Sequence, residues 1–219
     1  MDISGVIFDM DGTLLNSNYI WRSLGDLYLP RFGLIPRADC AEQIWPLTFQ
    51  QTAEYFRTAY SLPLTAEEIR RQITEIIEEH YCRRAIPPMP GAPEYVKALH
   101  RAGIPALVAT ATDLPLARAA LKNAGLLPFL SGVLSCSTLG FGKETPRVYH
   151  AARQQLGTAL DTTWVFEDTA LAIASAKAGG YHVVQIHDPV REAQVGPVVT
   201  AADLNIFSYD QLPRPQGRP

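Results

Sequence analysis

The feature that most constrains this chain is the stretch from Ile3 to Ser17, where a short apolar run ends in two carboxylates. Residues 3–8 are mostly apolar and include β-branched side chains, which predicts a strand buried on both faces, as in a parallel sheet. Asp9 and Asp11 follow this strand. Ligands of open α/β sheets bind at the carboxyl ends of the strands, so we expect both acids to lie at a binding site.

Two carboxylates held close together repel each other unless they share a cation or a proton. A hard cation with oxygen ligands, such as Mg²⁺, would relieve this repulsion. The alternative is a simple turn after the strand, because aspartate and glycine are common turn residues and Gly12 follows Asp11. These few residues alone leave both interpretations open.

The composition argues against several classes of function. The 219 residues include 19 basic and 22 acidic ones, and neither sign forms a long block, which argues against binding nucleic acid by bulk electrostatics. The three cysteines, Cys40, Cys82 and Cys136, lack metal-ligand spacing and predict free thiols in a reducing compartment.

The N-terminus has no basic leader and an apolar run of only about six residues. We therefore expect no signal peptide and no membrane span, and a cytoplasmic protein that is a monomer or a weak dimer.

Helical spacing replaces strand-like runs between residues 18 and 84. The clearest helix follows Thr65, because Glu68 three residues later completes a capping-box signature. The apolar face of this helix is formed by Ile69, Ile73, Ile76, Ile77 and Tyr81. Two further helices are predicted, over 19–31 and 41–60. Two tryptophans of these segments are predicted to lie in the core of this small unit, Trp21 and Trp45.

Strands and helices alternate from residue 92 onward. The predicted strands cover 104–109, 133–135, 163–166, 182–186 and 204–206. The predicted helices run from Pro93 to the closing Gly103, from the cap Asp113 to before Gly125, from Thr145 to the stop at Gly157, and over 170–178. This succession predicts an α/β fold with a parallel, doubly wound (Rossmann-like) sheet and right-handed crossovers. The first strand belongs to the same sheet. Residues 1–17 and 85–213 are thus expected to form the α/β core, residues 18–84 an inserted all-α cap domain, and residues 214–219 a flexible tail.

Polar residues follow three further strands, at the sheet edge where the paired acids are expected. They are Thr110 to Asp113, Gly140 to Lys143, and Glu167 to Thr169. A hydroxyl, an ammonium and two more carboxylates at one edge suit a phosphate, with a cation between the acids. Each also has a structural alternative, since Thr110, Glu167 and Asp168 could cap helices and Lys143 could be a solvated loop lysine. We assign Asp113 to a helix cap and no metal role to the five scattered histidines.

Four strings are similar, in the right order, to the motifs of the haloacid dehalogenase superfamily. D-M-D-G-T-L-L-N-S resembles the first motif, D-x-D-G-T-[LI]-x-[DN]-[ST], and L-V-A-T-A-T resembles the second. G-K-E-T-P-R-V-Y-H-A-A resembles the third, G-K-P-x-P-D-x-F-x-x-A, and V-F-E-D-T-A-L-A-I-A-S-A-K-A-G resembles the fourth. The resemblance runs from Ile3 to Leu212. It is greatest to the branch with a small helical (C1-type) cap after the first strand, which includes β-phosphoglucomutase and the sugar-phosphate and phosphoglycolate phosphatases.

The resemblance implies a Mg²⁺-dependent phosphatase acting on a small phosphorylated metabolite. It implies that Asp9 attacks phosphorus and forms an aspartyl-phosphate, while Asp11 acts first as general acid and then as general base. The implied metal ligands are Asp9, the backbone carbonyl of Asp11, Glu167 and Asp168. The implied phosphate ligands are Thr110, Lys143 and the backbone N–H groups of Asp11 and Ala111. The helical cap would close over the site, exclude bulk water and select the leaving group.

Several positions depart from the pattern of the family. Asn16 replaces the usual Asp of the first motif, and Glu144 and Arg147 replace the Pro and Asp that follow the motif lysine. Trp21 stands where β-phosphoglucomutase has a histidine, and the stretch 45–50 lacks the arginine that grips a second phosphate in that enzyme. These differences favour a phosphatase, with a mutase as the enzymatic alternative. A non-catalytic phosphometabolite-binding protein is the alternative from another class, and a dehalogenase is disfavoured because such members lack the second aspartate.

Overall fold

The structure, a computed structural model, describes residues 2–44, 47, 49–84, 86–188, 192 and 200–216. Its contacts divide the chain into two compact units, Met1–Asn16 with Ile86–Pro219, and Ser17–Ala85. Ser17, which the sequence grouped with the first unit, falls in the second. Of the predicted tail, residues 214–216 have no regular secondary structure and residues 217–219 lie outside the described part of the chain.

The described residues of the first unit form a six-stranded parallel sheet. Its strands are β1 (Gly5–Phe8), β2 (Ala106–Thr110), β3 (Gly132–Ser135), β4 (Thr163–Glu167), β5 (His182–Ile186) and β6 (Leu204–Ile206), in the spatial order β3-β2-β1-β4-β5-β6. The chain moves outward from β1 to β3 and then returns to β4, so the strand order reverses between β1 and β4. Such a reversal opens a crevice at the carboxyl ends of the two strands. The predicted doubly wound α/β fold is confirmed.

Helices occur in both units. The second unit contains α1 (Asn18–Arg22), α2 (Leu24–Tyr28), α3 (Cys40–Ile44), α4 (Phe49–Ala59) and α5 (Ala66–Glu78), and the first contains α6 (Ala92–Arg101), α7 (Leu114–Asn123), α8 (Cys136–Leu139), α9 (Arg147–Leu156) and α10 (Ala170–Ala178). Within the described residues, no helix combines the length and the apolar character that crossing a membrane would require.

Side chains that alternate along the strands build a core on each face of the sheet. On one face, Ile7 and Val165 pack with Val148 and Tyr149 of α9 and Ile173 of α10. The other face carries an aromatic cluster formed by Phe8, Tyr95, Phe166 and Tyr209. All these side chains are buried, so the strand ends that follow them are held in fixed positions by packing.

Two helices predicted in the second unit are wrong in extent. The segment 19–31 is not one helix but α1, α2 and a 3₁₀ turn over Leu29–Phe32. Pro30 explains the turn, because proline lacks the N–H of a helix interior and disfavours α-helical geometry in the residue before it. The segment 41–60 contains two helices, α3 and α4, and the sequence between them carries Pro46.

Of the two tryptophans predicted in the core of this unit, Trp21 lies within the described residues. Trp21 is only half-buried, and its ring packs against that of Phe49 with 5.1 Å between centroids. Trp45 lies outside the described residues. Trp21 is therefore only partly enclosed, unlike the fully buried side chains of Ile20 and Tyr28 in the same unit.

The predicted capping box at the start of α5 is confirmed. The Thr65 hydroxyl accepts a hydrogen bond from the Glu68 N–H (3.2 Å), and Glu68 Oε2 accepts one from the Thr65 N–H (2.8 Å). The helix ends at Glu78, and a π-helical turn over Glu79–Arg83 follows it. This turn extends the predicted apolar face as far as Tyr81, which is fully buried.

We expect Thr65→Ala to lower the free energy of unfolding of the helical unit by about 1 kcal/mol, because it removes the cap of α5. Urea denaturation followed by helical circular dichroism would measure the loss. Thr58→Ala is the matched control, since the exposed Thr58 hydroxyl donates to backbone carbonyls of its own helix, Glu54 and Tyr55, and alanine has the higher helix propensity. Equal losses in the two variants would contradict the assigned role of the cap.

Candidate active site

The strand ends predicted to carry the chemistry meet at the switch point of the sheet. Asp9 directly follows β1, and its backbone N–H donates a 2.9 Å hydrogen bond to the carbonyl of Phe166 in β4. Glu167 ends β4, and Asp168 follows it. The parallel register of β1 and β4 therefore brings these carboxylates to the same edge, and each of them is at most 6% exposed.

Lys143 joins this group from the loop after α8. Its Nζ donates hydrogen bonds to Asp9 Oδ1 and to Glu167 Oε1, the second at 2.5 Å. The lysine side chain is 11% exposed, so it is not the solvated loop lysine that the sequence left as an alternative. A buried ammonium between two carboxylates offsets the cost of burying each of them.

Tyr149 of α9 also contacts Glu167, and sequence reasoning did not assign it a role. Its hydroxyl lies 3.3 Å from Glu167 Oε1 and 3.4 Å from the carbonyl of Ala172. The other carboxylate oxygen of Glu167 accepts hydrogen bonds from the N–H groups of Asp168 (3.0 Å) and Thr169 (3.2 Å). Glu167 is thus held at both oxygens. The sequence feature that could have indicated Tyr149 is in the third motif, where this chain has tyrosine at the position of the phenylalanine of the family.

Asp9, Glu167 and Asp168 form a candidate metal site among the described residues. Each offers one carboxylate oxygen, and these atoms lie within 4.8 Å of one another. Hard oxygen donors at this separation fit Mg²⁺, which prefers carboxylate ligands and water. The side chain of Asp11 is not part of the group, and the sequence assigned it to the metal only through its backbone carbonyl.

Burial governs the electrostatics of this group. It raises the pKa of Asp9 to about 7, with the charges of Glu167 and Asp11 adding to the rise and Lys143 opposing it. Burial acts to lower the pKa of Lys143, yet the negative charges of Asp9 and Glu167 hold the pKa of its ammonium well above the usual value. Lys143 therefore remains a cation. One ammonium does not balance all the carboxylates of the site, so an additional cation would relieve their repulsion.

The residues after β2 lie beside Asp11. Thr112 Oγ1 donates a 2.7 Å hydrogen bond to Asp11 Oδ2. The predicted phosphate ligand Thr110 is fully buried, and its hydroxyl accepts a 3.0 Å hydrogen bond from the Thr112 N–H. Ala111 between them is exposed. Asp113 stands at the N-cap position of α7, but its side chain makes no capping hydrogen bond to the described residues of that helix.

The residues that depart from the third motif have structural partners. Glu144 Oε1 accepts a 3.2 Å hydrogen bond from the Gly142 N–H, directly before Lys143. The guanidinium of Arg147 lies 4.3 Å from the centre of the Phe141 ring, a separation at which cation and ring attract each other. Both contacts join the two sides of the loop that carries Lys143.

Comparisons with known proteins agree with this geometry. A model of the haloacid dehalogenase-like hydrolase family matches residues 3–180. Hexitol phosphatase A of Escherichia coli (strain K12) is 28% identical over 212 residues, which cover 97% of this chain and 94% of that protein.

Two solved structures share the fold. CbbY from Rhodobacter sphaeroides, in complex with phosphate, matches with a TM-score of 0.78 and 21% identity over 95% of this chain and 96% of that one. A candidate β-phosphoglucomutase from Thermotoga maritima matches with a TM-score of 0.73 and 19% identity over 93% and 94% of the two chains. With the family model covering most of its length, the chain belongs to the haloacid dehalogenase-like hydrolases, as its four motifs predicted.

Proposed function

We propose that this protein is a Mg²⁺-dependent phosphatase that hydrolyses a small phosphorylated metabolite, such as a sugar phosphate or phosphoglycolate, through an aspartyl-phosphate at Asp9. The observation that carries the proposal is the buried contact of the Lys143 ammonium with Asp9 and Glu167, beside the second acid Asp11. Transfer through an aspartyl-phosphate uses a cationic donor for the phosphoryl oxygens, one carboxylate as nucleophile and a second acid for proton transfer. Family membership and the phosphatase name of the Escherichia coli relative support hydrolysis of phosphoric monoesters.

In the first half-reaction, a carboxylate oxygen of Asp9 attacks phosphorus, and the bond from phosphorus to the leaving oxygen breaks. Asp11 donates its proton to that oxygen, which departs as an alcohol. Lys143, the Thr110 hydroxyl and the backbone N–H groups of Asp11 and Ala111 hold the equatorial phosphoryl oxygens.

In the second half-reaction, Asp11 takes a proton from a water molecule. The oxygen of that water attacks phosphorus, and the bond from phosphorus to Asp9 breaks, which restores both carboxyl groups and releases inorganic phosphate. The same residue thus acts as acid and then as base, as microscopic reversibility of the two displacements requires.

The metal would be held by Asp9, Asp168 and the backbone carbonyl of Asp11, with Glu167 acting directly or through water. Both oxygens of Glu167 already accept hydrogen bonds from protein donors, which favours the water-mediated arrangement. Bound Mg²⁺ supplies neutralisation of the charge on the transferring phosphoryl group.

The helical unit Ser17–Ala85 is proposed to be the cap domain that selects the leaving group. The name of the relative hexitol phosphatase A makes a phosphorylated sugar or sugar alcohol the first substrate class to test. We also propose that the protein is cytoplasmic and is a monomer or a weak dimer. The three cysteines, all within the described residues, are free thiols, as is typical of a reducing compartment.

Release of inorganic phosphate across hexitol phosphates, hexose phosphates, phosphoglycolate and nucleotides tests the proposal. We expect kcat/KM for one small phosphorylated metabolite to exceed that for 4-nitrophenyl phosphate by at least about tenfold, because binding of the remote part of a true substrate contributes to the transition state. If none of the esters were hydrolysed in the presence of Mg²⁺, the proposal would fail and a binding protein would be favoured.

A phosphomutase is the second candidate, favoured by the fold shared with the Thermotoga maritima structure. A mutase must shield its aspartyl-phosphate from water and grip a second phosphate. Trp21 replaces the histidine expected for this task, while Trp45, Pro46 and Thr48 of the stretch that lacks the arginine lie outside the described residues. We expect β-glucose 1-phosphate with trace glucose bisphosphate to give no isomerisation. Glucose 6-phosphate formed faster than inorganic phosphate would make the mutase the better proposal.

We expect the activity to depend on Mg²⁺ and to be inhibited by Ca²⁺, which prefers more ligands at longer distances and would disturb in-line attack by Asp9. Asp168→Ala should raise the Mg²⁺ concentration for half-maximal activity by at least about tenfold, because it removes a ligand from the group. Titration of phosphate release with each metal after treatment with EDTA measures both effects. Full activity in EDTA, or full support by Ca²⁺, would contradict the metal site.

A further inference from the structure

Thr112 contacts the carboxyl of Asp11, which the proposed mechanism uses for proton transfer, although neither the motifs nor that mechanism gives Thr112 a role. It lies two residues beyond β2 and is 7% exposed. Its hydroxyl donates a hydrogen bond of 2.7 Å to Asp11 Oδ2. This length is typical of a strong hydrogen bond from a hydroxyl to a carboxylate.

The direction of this hydroxyl is fixed by contacts on both sides of the residue. The Thr112 N–H donates to Thr110 Oγ1 (3.0 Å), and the Thr112 carbonyl accepts a hydrogen bond from Ser135 Oγ (2.8 Å) at the end of β3. Ser135 Oγ in turn lies 2.9 Å from Ser137 Oγ. The β-branched side chain of threonine also restricts rotation about its first bond. The ends of β2 and β3 thus hold Thr112 so that its hydroxyl points at Asp11.

We propose that Thr112 is a positioning residue that orients the carboxyl of Asp11 for proton transfer to the leaving group, an inference that rests on the proposed phosphatase function. The terminal torsion of an aspartate is broad, so an unrestrained carboxyl would spend much of its time misaligned. Proton transfer requires the acid within hydrogen-bond reach of the leaving oxygen, and small errors of placement cost large factors in rate. Thr112 limits that freedom by holding one carboxylate oxygen.

This role has a consequence that a merely structural role lacks. A sugar alkoxide is a basic leaving group and departs only with a proton, whereas 4-nitrophenolate departs without one. Loss of correct positioning of Asp11 should therefore penalise alkyl phosphates much more than 4-nitrophenyl phosphate. The quantity to compare is kcat/KM, which reports the steps up to the first irreversible one and so excludes later hydrolysis of the aspartyl-phosphate.

The experiment compares Thr112→Val, which keeps the shape and removes the hydroxyl, with Thr112→Ser, which keeps the hydroxyl. The probes are 4-nitrophenyl phosphate, phenyl phosphate and the hexitol phosphate mannitol 1-phosphate. We expect the penalty of Thr112→Val to grow along this series, reaching about 10- to 100-fold for the alkyl ester, and Thr112→Ser to recover to within about threefold of wild type. The ratio of two kcat/KM values does not depend on the folded fraction, so partial unfolding of a variant does not disturb the comparison.

The outcomes separate the inference from the function on which it rests. An active wild type with an equal penalty for all esters, or with none, would overturn the role of Thr112 and leave the phosphatase proposal standing. The same holds if Thr112→Ser behaves like Thr112→Val. A wild type that hydrolyses none of the probes refutes the phosphatase function, and the inference with it.

Discussion

Asp9→Asn is expected to abolish phosphate release, leaving less than about one per cent of wild-type turnover, because covalent catalysis leaves no simple bypass for a lost nucleophile. Steady-state assays with the best substrate of the panel measure this directly. Asp203→Asn is the matched control, since that carboxylate pairs with Lys177 on the surface of the same unit and should leave turnover unchanged. Activity of Asp9→Asn above about one per cent of wild-type turnover would contradict the assignment of Asp9 as the nucleophile.

The same substitution should change how stability depends on pH. Burial raises the pKa of Asp9 to about 7 in the folded protein, so the folded state binds this proton more tightly than the unfolded chain does. Metal-free wild type then loses stability as the pH rises from the unfolded value of about 4 towards 7. Asp9→Asn removes this loss. Melting temperatures in EDTA across this range should fall more steeply for wild type than for the variant, whereas parallel curves would contradict the raised pKa.

Lys143→Met should lower kcat/KM by at least about 100-fold, because it removes the cationic donor for the phosphoryl oxygens. It should also lower the free energy of unfolding of the metal-free protein by about 3 kcal/mol or more, since Asp9 and Glu167 would remain buried without their cation. The loss should grow as the pH rises and Asp9, whose pKa is raised by burial, ionises, and Mg²⁺ should reverse part of it. Activity assays and urea denaturation with and without Mg²⁺ give both numbers.

Lys177→Met is the matched control for this charge loss. Lys177 pairs with Asp203, but both side chains are about 30% exposed, and such pairs contribute at most about 1 kcal/mol. A fall in kcat/KM of less than about threefold for Lys143→Met, or equal destabilisation by the two variants, would contradict the assigned role of Lys143.

The sequence was sufficient to predict features that depend on neighbouring residues or on the order of the strands. The capping box of Thr65 lies within one turn, and Asp9 directly follows the buried β1 in the sequence. The meeting of Asp9 with Glu167 followed from the rule that parallel strands share a carboxyl edge, and the register of β1 with β4 bears this out. The roles of these residues in catalysis and metal binding remain predictions.

Features that depend on side-chain contacts across strands were not predictable in this way. Thr112 and Asp11 are 101 positions apart, and only the folded arrangement of β1 and β2 shows that the hydroxyl of Thr112, and not that of Thr110, reaches the second acid. Tyr149 contacts Glu167 through a single hydroxyl that a motif comparison treats as a variation among aromatic residues. The break between α1 and α2 falls at Ser23, which is neither the glycine nor the proline that usually marks the end of a helix. Helical spacing in the sequence therefore did not reveal it.

Trapping the aspartyl-phosphate tests the central claim most directly. Asp11→Asn should slow attack by water on the intermediate, while 4-nitrophenyl phosphate, which needs no proton on its leaving group, should still phosphorylate Asp9. Samples of this variant with Mg²⁺ and substrate are quenched in acid and reduced with borohydride, which converts an aspartyl-phosphate to homoserine, and the peptides are read by mass spectrometry. We expect homoserine at position 9 and at no other aspartate, in step with a burst of 4-nitrophenolate. A burst with homoserine at another position, or with none at position 9, would contradict the mechanism.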